Sequence, residues 1–345
     1  MKFLISVLLI SFMFSMASYA EDARITQTPS EIYVETPHFD VSIWKQVLYN
    51  AQIHIYDGDN TIKVLPCFLF GNNSGDGKRI QWLNRNNGYK MFIGKVEKMR
   101  IEEHEDRIIV NLSYPRSFVV YDKTREFVGD VPSRATFSTE NTITIYYNKP
   151  RVDIEAKQVI TEDLHTHLSW FSHFYFDSFS GMLFGTDDQY NIEPGPWSKL
   201  KFMYLTPEGK ASFEECHEDE KGPFKNLHTS EGFNDYFVAQ SGSSSYFVYC
   251  PSWRKYADLS YNRKKMPSNS ILFHTQGSKK MGRIIMITKD TTLGAGLDVL
   301  DFPKGEYINR ISVLKLPQNA DNEAIKKLHS QISQKGKPSP VKKPS

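Results

Sequence analysis

The regular return of turn-forming residues most constrains what this chain can fold into. Short runs of β-branched and aromatic residues are cut, again and again, by clusters of Gly, Pro, Asn and Asp. Ile53 and Ile55 alternate with polar neighbours, Asp57-Gly58-Asp59-Asn60 reverses the chain, and Ile62 and Val64 resume the alternation. A period of two on both sides of a Gly-containing turn predicts a β-hairpin. Met99 and Ile101, a polar turn at His104-Glu105-Asp106, and Ile108-Ile109-Val110 predict a second. Further strands are expected at 117–121, 142–147, 201–205, 236–239, 245–249, 270–274, 283–288 and 307–316, all rich in residues that suit a pleated surface. Helical patterns do not alternate with these strands, which argues against a parallel α/β fold.

Two helices are expected. Asp40 can cap the first, with Val41, Trp44, Val47, Leu48 and Ala51 at helical spacing; the second spans 321–332. The fold class is therefore mostly β: two β-sandwich or jelly-roll-like units with a few short helices. Asn148-Lys149-Pro150 marks the division into an N-terminal β-rich domain over 21–150 and a C-terminal one over 151–318. Residues 319–345 form a short helix and a disordered basic tail. A hydrophobic content of 40%, with 13% aromatic residues, is enough to build a sizeable core.

The first twenty residues read as a signal peptide: Met1-Lys2, an apolar run from Phe3 to Met16, and Ala17-Ser18-Tyr19-Ala20 ahead of a cleavage point. The expected product is periplasmic or secreted. The apolar run is shorter than the roughly 20 residues of a spanning helix, and no later stretch qualifies, so no transmembrane helix is expected after cleavage. Six lysines (326, 327, 335, 337, 342 and 343) and no acid occupy 326–345. Without them and Lys2, 35 basic residues face 40 acidic ones, a poor balance for nucleic acid. The partner classes left are an envelope component or a polysaccharide.

Export permits a disulfide. Of the three cysteines, Cys216 and Cys250 are the candidate pair and Cys67 is spare. No C-x-x-C spacing supports a cysteine zinc site.

Candidate chemistry is densest between Thr161 and Gly181. If this segment is a strand, one face carries Leu164, Leu168, Trp170, Phe174 and Phe176, and the other carries His165, His167, His173 and Asp177. His165 and His167 are then close enough to share a divalent metal ion, with His173 on the same face. If it is a helix, His165 and His167 point about 200° apart and cannot chelate together. Asp163-Leu164-His165-Thr166-His167 resembles the D-x-H-x-H start of metal-dependent amidohydrolases and of polymerase-and-histidinol-phosphatase-type phosphoesterases, where both histidines and the acid bind metal at a barrel mouth. The rest of the chain is too short and helix-poor for a (β/α)₈ barrel of about 250 residues. Gln52-Ile53-His54 resembles the Q-I-H element of jelly-roll alginate lyases, which implies a Gln and a His acting together on a uronate. Trp170, Phe171, Tyr175, Trp197, Trp253 and Tyr256 are candidates for stacking on sugar rings. No catalytic motif is complete. The expectation is an exported non-catalytic binding or interaction module. The alternative is a secreted metal-dependent hydrolase or polysaccharide-active enzyme built on His165, His167 and His173, with no other cofactor.

Overall fold

The computed structural model describes residues 24–48, 52–72, 90–114, 119–121, 137–161, 164–177, 181–184, 200–205, 211–216, 225–228, 236–241, 244–252, 270–278, 282–290, 300–302, 304–317 and 320–335. Residues 1–20, read above as a signal peptide, residues 73–89 and the basic segment 336–345 lie outside them, as do Trp197, Trp253 and Tyr256.

The chain is mostly β. It begins with β1 (Arg24–Gln27), β2 (Glu31–Glu35), β3 (Asp40–Trp44), β4 (Gln46–Leu48), β5 (Ile53–Asp57) and β6 (Asn60–Asn72). Next come β7 (Lys90–Lys95), β8 (Lys98–Glu103), β9 (Arg107–Tyr114), β10 (Val119–Tyr121), β11 (Phe137–Tyr146) and β12 (Arg151–Ile160). The long β13 (Leu164–Asp177) is followed by β14 (Gly181–Phe184), β15 (Leu200–Leu205), β16 (Ala211–Cys216), β17 (Lys225–His228), β18 (Tyr236–Ser241) and β19 (Ser244–Tyr249). Finally come β20 (Ser270–Ser278), β21 (Gly282–Asp290), β22 (Leu300–Phe302), β23 (Gly305–Leu316) and one helix, α1 (Asn322–Lys335).

Two large sheets hold nearly all of them. The first runs β1-β2-β3-β5-β6-β13-β21-β20-β17, with β22 also on β13. The second runs β16-β15-β14-β18-β19-β23-β12-β11-β9-β8. A small third sheet is β10-β7-β4. Pairing is antiparallel except between β14 and β15. Position 150 falls in the short link from β11 to β12, which pair with each other, and strands from both sides of it enter both large sheets.

The expected hairpins form. Gly58, at a φ of 60°, sits in the tight turn that joins β5 to β6; a Cβ there would be strained. The helix expected near Asp40 does not form. Val41 and Ile43 are fully buried and Trp44 is exposed, a period of two, so burial of two β-branched residues on a sheet face overrides a helical spacing. The C-terminal helix does form. Asp321 Oδ1 accepts the Ala324 N–H at 2.8 Å, capping it. Ile325, Leu328 and Ile332 cover Tyr236, Val238, Phe247, Tyr249 and Leu316 on the outer face of the second sheet. His329 lies 4.5 Å, centroid to centroid, from the Tyr236 ring.

The core lies between the large sheets. Ile32, Val34, Val41, Ile43, Ile53, Ile55, Ile62 and Val64 face inward from the first, and Ile108, Val110, Ile143, Ile145, Val152, Ile154, Ile311 and Val313 from the second. The Phe237 ring sits 5.5 and 5.6 Å from those of Phe174 and Phe176, edge-on to both. The β5–β6 turn is clasped from the opposite sheet: Asp57 Oδ2 accepts Tyr246 O–H and pairs with Lys315 Nζ at 2.7 Å. Burial, then the hydrogen bond to Asp57, raises the Tyr246 pKa.

One end of this interior is polar. Thr139, Asn141, Gln158 and Asn309 are each at most 2% exposed where the neighbouring rows are aliphatic. Asn309 donates to the Pro66 carbonyl and Asn141 to Gln52 Oε1, both across the sandwich. Gln52 Nε2 and Asn141 Oδ1 are buried without a hydrogen-bond partner among the described residues. Stranding one buried amide costs about 1–3 kcal/mol, whereas replacing both partners by apolar groups is near neutral. Asn141→Leu alone is expected to lose stability in that range, and Gln52→Leu/Asn141→Leu to recover it. Urea unfolding of the four proteins of the cycle tests this; additive losses would contradict it.

Candidate functional site

The same alternation that buries Val41, Ile43, Ile53 and Ile55 turns the residues between them outward. On β2 these are Glu31, Tyr33 and Glu35; on β3, Asp40, Ser42 and Trp44; on β5, His54 and Tyr56. Register places Glu31 opposite Trp44, Tyr33 opposite Ser42, Ser42 opposite His54, and Asp40 opposite Tyr56. Opposed side chains on an antiparallel pair stand about 5 Å apart at Cβ. Two aromatic–carboxylate pairs therefore flank His54.

The rings form a platform. Trp44 is 37% exposed, a large apolar surface left in water. Its ring centroid is 5.9 Å from that of His54, which is 6.0 Å from Tyr56. His54 Nδ1 and the Tyr56 hydroxyl are 3.0 Å apart. Burial under these rings, helped by the charge of Lys63 across the β5–β6 pair, pulls the His54 pKa down to about 4, so the imidazole is neutral at physiological pH. Burial, then Glu31, raises the Tyr56 pKa.

The carboxylates are held in place. Glu31 Oε2 accepts Ser42 Oγ–H at 2.9 Å, and Asp40 Oδ2 accepts the Tyr33 O–H at 2.8 Å. Burial and Asp40 push the Tyr33 pKa up to about 12, so it remains a donor. Each acid thus has one oxygen engaged and the other turned to no partner among the described residues.

Gln52 and His54 do not act together as the lyase-like Q-I-H string implies. Gln52 is 1% exposed and bonded to Asn141 inside the sandwich, while His54 stands on the outer face. Ser252, just beyond β19, donates its hydroxyl to the Ile308 carbonyl at 3.4 Å and accepts the Arg310 N–H at 2.9 Å.

The segment 164–177 is a strand, as the two-histidine arrangement requires, with Phe174 and Phe176 buried and Tyr175 between them half-buried. His165 stands opposite Asp301 in the pairing with β22. Thr166 and Leu168, however, oppose consecutive residues Asn72 and Gly71, so His167 is the extra residue of a bulge. The side chains of His165, His167 and His173 lie outside the described ones, as do those of Trp170 and Phe171. Among the described residues no group of three His, Cys, Asp or Glu could hold a metal ion.

The Cys216–Cys250 disulfide is not formed. Cys216 ends β16 and Cys250 follows β19, with β15, β14 and β18 between them. At about 4.8 Å per strand that is roughly 19 Å, against about 7 Å at most between bridged Cα atoms. Cys250 is instead buried, its thiol 3.7 Å from Asn309 Oδ1.

No protein-family profile and no curated protein sequence matches the chain. Solved structures similar to it include an alpha-N-acetylgalactosaminidase from Bifidobacterium bifidum in complex with GalNAc, at 10% identity over 88% of this chain and 39% of that one, with a TM-score of 0.42. A TPR-domain containing protein from Parabacteroides distasonis is 10% identical over 91% of this chain and 50% of that one, with a TM-score of 0.40. A galactose mutarotase related enzyme from Lactobacillus acidophilus is 11% identical over 87% and 99%, with a TM-score of 0.36. The chain thus spans about two fifths of the length of the first of these. Identities and scores of this size leave the functional reading to the chain's own residues.

Proposed function

We propose that the protein is an exported, non-catalytic binding module that takes a polysaccharide on the outer face of β2, β3 and β5. One observation carries this reading: Trp44 lies exposed beside His54, which in turn lies beside Tyr56, and two anchored carboxylates stand opposite Trp44 and Tyr56. Apolar ring faces next to fixed hydrogen-bond acceptors suit a sugar, whose C–H faces stack on aromatics while its hydroxyls donate. Export rests on the first twenty residues, and the expected mature product begins at Glu21.

The test is affinity electrophoresis of the protein as released by its host, run through gels cast with polysaccharides. Trp44→Ala removes a partly exposed ring on the outer face and leaves the buried core side chains in place, so the fold should survive. A central tryptophan contributes 2 kcal/mol or more at many interfaces, so affinity is expected to fall about tenfold or more. Equal retardation of both proteins would refute the assignment of the face.

A further inference from the structure

Resting on that reading, we infer that the ligand is a neutral, hydroxyl-rich glycan, and that the face rejects polysaccharides carrying carboxylates or sulfates. The unengaged oxygens of Glu31 and Asp40 are the first reason. An ionised carboxylate accepts hydrogen bonds and donates none. A ligand meeting these two groups must supply donors, and sugar hydroxyls do so, whereas a uronate or sulfate brings only another acceptor and a like charge. Such a juxtaposition of like charges disfavours the wrong partner strongly when desolvated.

The second reason is the placement of positive charge. Lys63 stands on β6 in the row Tyr33–Ser42–His54–Lys63, on the far side of His54 from the strands β2 and β3 that carry Glu31 and Asp40. Arg24 stands opposite Glu35, at the far margin of β1 and β2. The histidine between the two aromatic–carboxylate pairs supplies no charge, because it is buried against rings and hydrogen-bonded to a tyrosine hydroxyl. An anionic chain crossing this face would pass both carboxylates with no cation placed between them by the register of β2, β3 and β5 among the described residues.

The third reason is spacing. Asp40 and Trp44 are four residues apart on β3, about 13 Å along the strand. Two similar stations at that distance fit successive sugars of one chain better than a single ring.

The experiment compares a neutral glucan, a neutral galactan, alginate and a sulfated galactan by affinity electrophoresis. It uses the full protein, Trp44→Ala and Glu31→Gln/Asp40→Asn, with circular dichroism to confirm that each is folded. The expected result is that the native protein is retarded by a neutral polymer only. Trp44→Ala should lose about tenfold in affinity, and Glu31→Gln/Asp40→Asn a similar factor for the neutral polymer. Retardation by alginate or the sulfated galactan alone, abolished by Trp44→Ala, would overturn the ligand class while leaving the binding face standing. A neutral-polymer affinity unchanged in Glu31→Gln/Asp40→Asn would also overturn the inference. Binding of none of the four polymers by the folded native protein would overturn the binding reading itself, and this inference with it.

Discussion

Replacing Phe237 by alanine is expected to lower the unfolding free energy by about 3–5 kcal/mol, the usual cost of deleting a fully buried phenylalanine. Phe237 is wholly buried on β18 and is packed edge-on against Phe174 and Phe176 of the opposite sheet. Its loss removes two interlocked ring contacts as well as the transfer energy of the side chain, and the two flanking rings belong to a paired strand that cannot easily close the gap. Phe237→Leu keeps most of the volume and should recover more than half of the loss. Urea or guanidinium denaturation of the three proteins reads both numbers. A loss below about 1 kcal/mol in the alanine protein would mean that the two sheets are not held together at this point.

The second large effect is a stability that falls in acid because of His54. Its pKa is about 4 in the fold against 6.5 for an unperturbed imidazole, chiefly through burial and then through Lys63. The folded state therefore binds this proton more weakly than the unfolded one. The contribution is fully present above pH 6.5, declines as pH falls below that, and is lost once pH passes below 4. At about 1.4 kcal/mol per pH unit, the interval corresponds to about 3 kcal/mol. Carboxylates also titrate in this range, so the measurement is a difference: unfolding free energy from pH 7.5 to 4 for the native protein and for His54→Gln. The native curve should drop more steeply by about 3 kcal/mol, and parallel curves would place His54 in water rather than under Trp44 and Tyr56.

Much of this structure was readable locally. The β5–β6 and β8–β9 hairpins follow from alternation around short polar turns, and α1 follows from Asp321 and the spacing of Ile325, Leu328 and Ile332. In the β3 segment Val41, Trp44, Val47 and Leu48 also satisfy a helical period, so the sequence pattern alone points to a helix there. Only the neighbouring strands decide between the two patterns. Pairings such as β6 with β13 and β12 with β23 join segments roughly one hundred residues or more apart, and no local pattern encodes a partner at that distance. The proposed binding face is invisible to local patterns for the same reason. His54 drew attention as part of a three-residue string, but Trp44, Glu31 and Asp40 join it only through the register of three strands.

The position of β23 governs how such a chain is completed during synthesis. It fills the slot between β19 and β12 at the middle of the second sheet, yet it is the last strand in the order of the chain. Until it emerges from the ribosome, β12 and β19 present two bare backbone edges, each able to recruit a neighbouring polypeptide. Contacts this remote in sequence also close slowly. A nascent chain that cannot finish early stays loose, a property that would suit the export proposed above. Polypeptides stopped short of Gly305 should collect as aggregates rather than as a smaller folded product.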